Sequence, residues 1–340
     1  MNNGISVLTV MHDDFDFIEN YCVGIRRLTL NGDVDIEVSA YFWECDPNFV
    51  QLAISQIEKI QGVSTSFYHG ENIGFSRANN LLASHASQDI LFFLNPDTEI
   101  KRFNVQELLK LDMGTCIIEP LMTTGISNAE NDFDTQKTLF LSNDFFFYPR
   151  TTVDSTSQTY VDGAALIISK KYFDLLGEFD QNIFVFQEDM ELGLRNLING
   201  GEFHRLKDAH VHHFSGGTIG GGAYKVNSGP HITSHFRRIE AEKNQVYIAS
   251  KYFSQFRLSK WLICWATLNV VSTVALLLSG EKNLAKTPWQ GLAKLRKENR
   301  FGSRSKSSME LRHPVTRRFT LVPSKIVVFF RHGMPKSNVS

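Results

Sequence analysis

Apolar and polar positions alternate in blocks along the first hundred residues. Residues 5–11 (ISVLTVM) and 90–94 (ILFFL) are short, mainly apolar runs of the kind that form buried strands. Between them, 15–28 carries helical periodicity, 34–42 reads as a strand, 49–60 as a helix and 63–68 as a short strand. The loop HGENIGF follows, and 77–87 is again helical. This alternation predicts an α/β protein with a parallel, doubly wound sheet and right-handed crossovers.

Further along, 123–158 is polar and aromatic with little periodicity, which predicts a surface excursion or flap. YVDGAALIIS is another apolar run, and KKYFDLLGEFD a short helix ending near Gly177. The 261–278 stretch (WLICWATLNVVSTVALLL) is the least soluble-looking part of the chain. Its length fits a buried core helix, a helix lying in a membrane surface or a true span, and the flanking Arg257 and Lys260 favour the surface reading.

Charge sharpens that picture. The whole chain of 340 residues carries a net charge of −1, but 282–340 holds 14 lysines and arginines against Glu298 and Glu310. The tail is therefore +12 and the first 281 residues −13. A basic tail behind an apolar helix predicts an anionic membrane surface as partner rather than nucleic acid. The four cysteines form no CxxC pair and the N-terminus has no basic, apolar leader pattern, so a reduced, cytoplasmic setting is expected.

Four segments carry the candidate chemistry. ENIGFSRANN lies between a strand and a helix, where Gly74 permits close backbone approach and the helix start offers free N–H groups to a phosphate. The 90–94 run stops at Asn95-Pro96-Asp97-Thr98, because Pro96 cannot donate to a ladder. Asn-Pro-Asp is ordinary turn chemistry. Yet Asn95 and Asp97 at the carboxyl end of a buried strand also stand where open α/β sheets bind ligands, and oxygen ligands suit Mg²⁺ or Mn²⁺. FVFQEDMEL places Glu188, Asp189 and Glu191 beside aromatic residues. Such a triplet is either a solvated helix face or a partly desolvated base. Last comes His210-Val211-His212-His213, a metal-ligand set or a structural cluster.

Taken in order, N-x-G-F-x-x-x-x-N, N-P-D, G-x-F-D, F-x-E-D-x-E-L and H-x-x-G-x-T resemble the family-2 inverting glycosyltransferases with the GT-A fold, over roughly residues 5–255. The series is most similar to their rhamnosyltransferase-like branch. The resemblance implies that Asn72, Gly74, Phe75 and Asn80 line a nucleotide-sugar site. It also implies that Asp97 and Asn95 hold a divalent ion with His213, and that Asp189, beside Glu188, is the catalytic base. Two departures concern the nucleotide base: the first strand ends in Thr9-Val10-Met11-His12 and the second in Trp43-Glu44-Cys45-Asp46, leaving Asp46 or Glu44 as the base contact.

The expected architecture is a GT-A domain over 1–255, with an apolar helix and basic tail over 256–340. The expected activity moves a sugar, rhamnose from dTDP-rhamnose, to a lipid-linked glycan of a bacterial surface polysaccharide such as O-antigen. The protein would work peripherally on the inner membrane face. The alternatives are a galactofuranosyl- or other hexosyltransferase, or a silent glycan- or nucleotide-binding relative.

Overall fold

The structure is a computed structural model that describes residues 4–30, 34–124, 138–141, 147–150, 158, 160–214, 232–298 and 336–337. The chain forms two compact units, one of Met1–Thr138 with Arg150–Thr218 and one of Leu139–Pro149 with Ile219–Ser340.

The first unit begins with the expected alternation: β1 (Ile5–Met11), α1 (Ile18–Thr29), β2 (Ile36–Trp43), α2 (Pro47–Glu58), β3 (Val63–Gly70), α3 (Phe75–His85) and β4 (Ile90–Leu94). Strands β3, β2, β1 and β4 lie side by side and parallel. Two helices start about two residues earlier than periodicity alone indicates, because local chemistry sets their ends. Asp46 caps α2 through a 2.7 Å bond from the Asn48 N–H, with Pro47 in the first turn, and Gly74 opens α3.

Beyond β4 the sheet becomes mixed. The Asn95–Asp97 turn leads into β5 (Thr98–Arg102), and α4 (Val105–Leu109) and β6 (Cys116–Thr124) follow. Two short strands, β7 (Thr138–Leu141) and β8 (Phe147–Arg150), form a separate pair inside the expected excursion of 123–158, most of which lies outside the described residues, and all of the pair but Thr138 and Arg150 belongs to the second unit. Next come β9 (Ala165–Ser169), α5 (Lys170–Leu176), α6 (Glu188–Ile198) and β10 (Glu202–His213). The full order is β3-β2-β1-β4-β9-β6-β10-β5, with β9 antiparallel to β4 and β6 and β10 antiparallel to β5. The expected mostly parallel sheet is therefore observed, with β9 and β5 as its antiparallel members. The antiparallel insertions arise because β9 enters beside the exit of β4 instead of crossing over a helix.

Alternating residues divide the core between the two faces of the sheet. Ile5, Val7, Phe92 and Leu94 meet Tyr21 and Ile25 of α1 and Phe49 of α2 on one face. Leu8, Leu91 and Phe93 meet Ala78 and Leu82 of α3, Phe173 of α5 and Leu192 of α6 on the other. Each fully buried Val, Leu, Ile or Phe among them contributes roughly 1.5–3 kcal/mol. Burial on both faces leaves the strand ends as the place for polar groups.

The second unit contains β11 (Ile232–Thr233), α7 (His235–Tyr252), α8 (Gln255–Leu278), α9 (Lys282–Ala285), α10 (Thr287–Lys297) and β12 (Lys336–Ser337). The expected boundary after residue 255 falls at the first residue of α8, while the second unit takes in α7 as well. Helix α7 belongs here because it packs on α10, where buried Glu240 pairs with Lys243 at 2.6 Å and with Lys294.

Candidate active site

The predicted site segments of the first unit meet at one edge of its sheet. Strand β4 ends at Leu94, and the Asn95 N–H donates to the Ala164 carbonyl at 2.9 Å. Asn95–Asp97 is indeed a turn, closed by the Thr98 hydroxyl donating to the Asn95 carbonyl at 2.6 Å. The turn and the candidate site coincide, since the same bend buries the Asp97 side chain.

Strand β10 brings His213 to this place by pairing it with Thr98. The Phe214 N–H donates to the Asp97 carbonyl at 2.9 Å, and His213 Nε2 lies 3.4 Å from Asp97 Oδ1. Two ligands at right angles on one Mg²⁺, each about 2.1 Å from the ion, stand about 3 Å apart. A carboxylate and an imidazole at this separation therefore suit a shared divalent ion. The other two histidines face elsewhere. His210 Nε2 and His212 Nδ1 both contact the Thr123 hydroxyl, at 2.9 and 3.0 Å. The rest of H-x-x-G-x-T, from Ser215 on, lies outside the described residues.

Glu188 and Asp189 occupy the first turn of α6. Asp189 Oδ2 accepts from the Gly163 N–H at 3.0 Å and Oδ1 from the Met190 N–H at 2.7 Å. Burial, and after it the charge of Asp162, pushes the Asp189 carboxyl up to about 7. Glu191 instead pairs with Arg195 one turn on, and Arg195 also ties the Leu176 and Glu178 carbonyls. Glu188 and Glu191 are buried, so this is not a solvated helix face. The chain reaches α6 through Phe186 and Gln187, both left-handed (φ 68° and 70°). Such backbone costs on the order of 1–3 kcal/mol per residue and concentrates at functional sites.

The ENIGF loop is fastened to the segment leading into α6. The Phe75 N–H donates to the Phe184 carbonyl at 2.7 Å. Gly74 adopts φ 84°, and a Cβ there would come within 2.6 Å of that carbonyl oxygen. Asn72 Oδ1 accepts from the Gly74 N–H at 3.2 Å and shapes the turn. Asn80 is buried and clasps the Phe179 backbone with both ends of its amide, at 2.9 and 3.0 Å. The ring of Phe75 leans edge-on toward Phe179.

At the ends of β1 and β2, the His12 ring stacks on Trp43 with centroids 3.6 Å apart and planes 15° apart. Ligand-type atoms of His12, Asp13 and Cys45 gather here within 4.8 Å of one another. They also serve the local turn: Asp13 accepts from the Asp46 N–H at 2.7 Å, and the Cys45 thiol points at the Met11 and Trp43 carbonyls. Asp46 is exposed and caps α2. Sequence reasoning passed over Asp162 and the His12–Trp43 pair. The signal for Asp162 was its place in YVDGAALIIS, a carboxylate beside a buried run like Asp97.

No family model matches the chain, and no curated protein matches it. Among solved structures, GalNAc-T7 with UDP, GalNAc and Mn²⁺ superposes with a TM-score of 0.56 at 13% identity, over 99% of this chain and 59% of that one. The fold is GT-A. The chain thus spans 59% of the GalNAc-T7 chain's length. A mannosyltransferase from Pyrobaculum calidifontis with GDP-Man and Mn²⁺ superposes at a TM-score of 0.49 and 12% identity, over 86% of this chain and 87% of that one. S. aureus TarS matches at 0.49 and 9%, over 76% of this chain and 42% of that one.

Proposed function

We propose that the protein is an inverting glycosyltransferase that uses a nucleotide-sugar donor and a divalent metal. The observation that carries this reading is Asp189, a carboxyl raised to about 7 and aimed by the Gly163 and Met190 N–H groups. A base poised near neutrality is what glycosyl transfer to a hydroxyl requires.

In this reading Asp189 takes the proton of the acceptor hydroxyl while that oxygen bonds to the anomeric carbon. The bond from that carbon to the diphosphate breaks, and the nucleoside diphosphate leaves with the electron pair. Attack from the face opposite the leaving group inverts the anomeric centre. Asp97 and His213, with Asn95 beside them, would hold Mg²⁺ or Mn²⁺, which when bound neutralises the diphosphate. The base of the nucleotide would lie near the His12–Trp43 stack, where β1 and β2 end. The α3 start, with Asn72, Gly74 and Phe75, would face the sugar-phosphate, while Asn80 holds that wall in shape.

The substrates are read from the motif series: rhamnose from dTDP-rhamnose as donor, and a lipid-linked glycan of a surface polysaccharide as acceptor. The test is turnover of a panel of nucleotide sugars on lipid-linked oligosaccharides, with Mn²⁺ and with chelator. Metal-dependent transfer with inverted anomeric configuration, fastest for dTDP-rhamnose, is the expected result. Metal-dependent transfer from another donor would change the sugar alone. Donor binding without transfer would make the protein a binding relative.

A further inference from the structure

Helix α8 is apolar on two opposite faces, and among the described residues only one of them is used inside its own unit. Trp261, Trp265, Asn269 and Leu276 recur at helical spacing and are buried. On this inner face Trp265 Nε1 donates to Glu242 Oε2 of α7 at 3.1 Å, and the Thr273 hydroxyl donates to the Ala285 carbonyl of α9 at 3.1 Å. Trp289 of α10 donates to the Thr273 oxygen at 3.1 Å. The outer face runs through Phe256, Ile263, Val270, Val271, Val274, Leu277 and Leu278. Several of these are far more exposed than buried, with Phe256 at 72%, Ile263 at 69% and Leu278 at 84%.

Scattered apolar residues on a surface need no explanation, but a stripe the length of a helix does. At about 1.5 Å per residue the 24 residues of α8 make a stripe about 36 Å long. The helix contains no acidic residue. Exposed Lys260 stands near its start and exposed Lys282 and Lys286 just past its end. An apolar stripe bracketed by cations matches the layered chemistry of an anionic bilayer surface, hydrocarbon below and phosphate above.

We propose that α8 docks this outer stripe into the surface of an anionic lipid bilayer and lies in the plane of the membrane. A crossing orientation conflicts with the inner face. Trp265 is bonded to Glu242, and α7 carries the Glu240–Lys243 pair at 2.6 Å, so a spanning α8 would draw these charges into hydrocarbon or break their contacts. Lying flat, α8 keeps every inner contact and buries only its outer face. The inference rests on α8 alone and stands whether or not the glycosyl-transfer reading holds.

The experiment uses the full chain with phosphatidylcholine vesicles and with vesicles containing phosphatidylglycerol. Pelleting is compared for the wild type, Ile263→Asp/Val271→Asp and Lys260→Glu/Lys286→Glu, with melting temperature and light scattering followed in parallel. Both pairs of side chains are exposed, so the variants should melt near the wild type. The expected result is pelleting with the anionic vesicles, reduced by salt and cut about tenfold or more by either double substitution. Wild-type protein that stays in solution would overturn the proposal. So would pelleting that neither substitution changes, or release only by detergent, the mark of a span. A dimer in vesicle-free solution that the aspartates disperse, with no vesicle binding, would make a second copy of the chain the occupant and also overturn it.

Discussion

The Gly163 N–H donates to Asp189 Oδ2 across 3.0 Å, and the next residue, Ala164, accepts from Asn95 at the end of β4. Three consecutive residues, Asp162 to Ala164, thus join the segment carrying Asp97 to the segment carrying Asp189. Asp162 also sets the turn, its Oδ1 accepting from the Ala164 N–H at 3.0 Å. Two candidate groups far apart in sequence therefore share one support.

Asp189→Asn keeps the size of the side chain but removes its ability to take a proton. Turnover should fall by about 10²–10⁴, with donor affinity preserved. The same substitution should affect stability with a definite sign. A carboxyl raised from 3.8 to about 7 favours folding while protonated, and that advantage is lost as pH rises through 7. The substituted amide stays neutral at every pH, so the variant should melt above the wild type at pH 8 and close to it at pH 4. Calorimetric scans at the two pH values check this, and a variant that melts lower at pH 8 would contradict the burial of the charge.

Asp162 sits beside that base and raises it by charge. Removing the charge in Asp162→Asn should let Asp189 ionise at lower pH. The acid limb of the rate profile should move down from about 7, while the basic side stays in place. An unmoved limb in an active variant would mean that burial alone sets the value.

The division among the histidines gives a third expectation. Asp97→Ala should weaken donor binding about tenfold or more in Mn²⁺ and leave it unchanged with chelator, and His213→Ala should do the same to a smaller degree. His210→Ala and His212→Ala each remove a bond to Thr123 and should lower the melting temperature by a few degrees, consistent with about 1 kcal/mol, without altering metal dependence. Titration calorimetry separates the two classes. A similar loss of metal dependence at all three positions would dissolve the distinction.

Much of this arrangement was legible in the chain. The β1–β4 half was plain because β1, β2 and β4 are buried on both faces and periodic helices separate the four strands. Asp97 was legible because Pro96 forces the end of β4. Other parts were hidden for physical reasons. Strand β5 (TEIKR) is short and charged, and it is ordered by pairing with β10, a partner about a hundred residues away. The turn at Phe186 and Gln187 has no glycine or asparagine to announce it, since tertiary contacts impose its left-handed backbone. The role of Asn80 was also invisible, because Phe179, whose backbone it clasps, is 99 residues away.

Gly74 offers the sharpest test of how the ENIGF loop is held. Its backbone, φ 84° and ψ 159°, lies in a region almost closed to residues with a Cβ, and the added carbon would also collide with the carbonyl and ring of Phe184. Strain and overpacking together should make Gly74→Ala cost about 2–5 kcal/mol. Gly200 separates the two contributions. It too has a positive φ, 74°, yet nothing lies within 4 Å of its would-be Cβ. Gly200→Ala should therefore cost only about 1 kcal/mol of backbone strain. The collision at Gly74 can be relieved only by moving Phe184, which lies four residues before Glu188 and whose carbonyl the Phe75 N–H holds. Gly74→Ala should consequently lose turnover as well as stability, whereas Gly200→Ala should keep full turnover. Denaturant melts and initial rates on the two variants decide it, and equal melting temperatures would show that the loop is not pinned to Phe184.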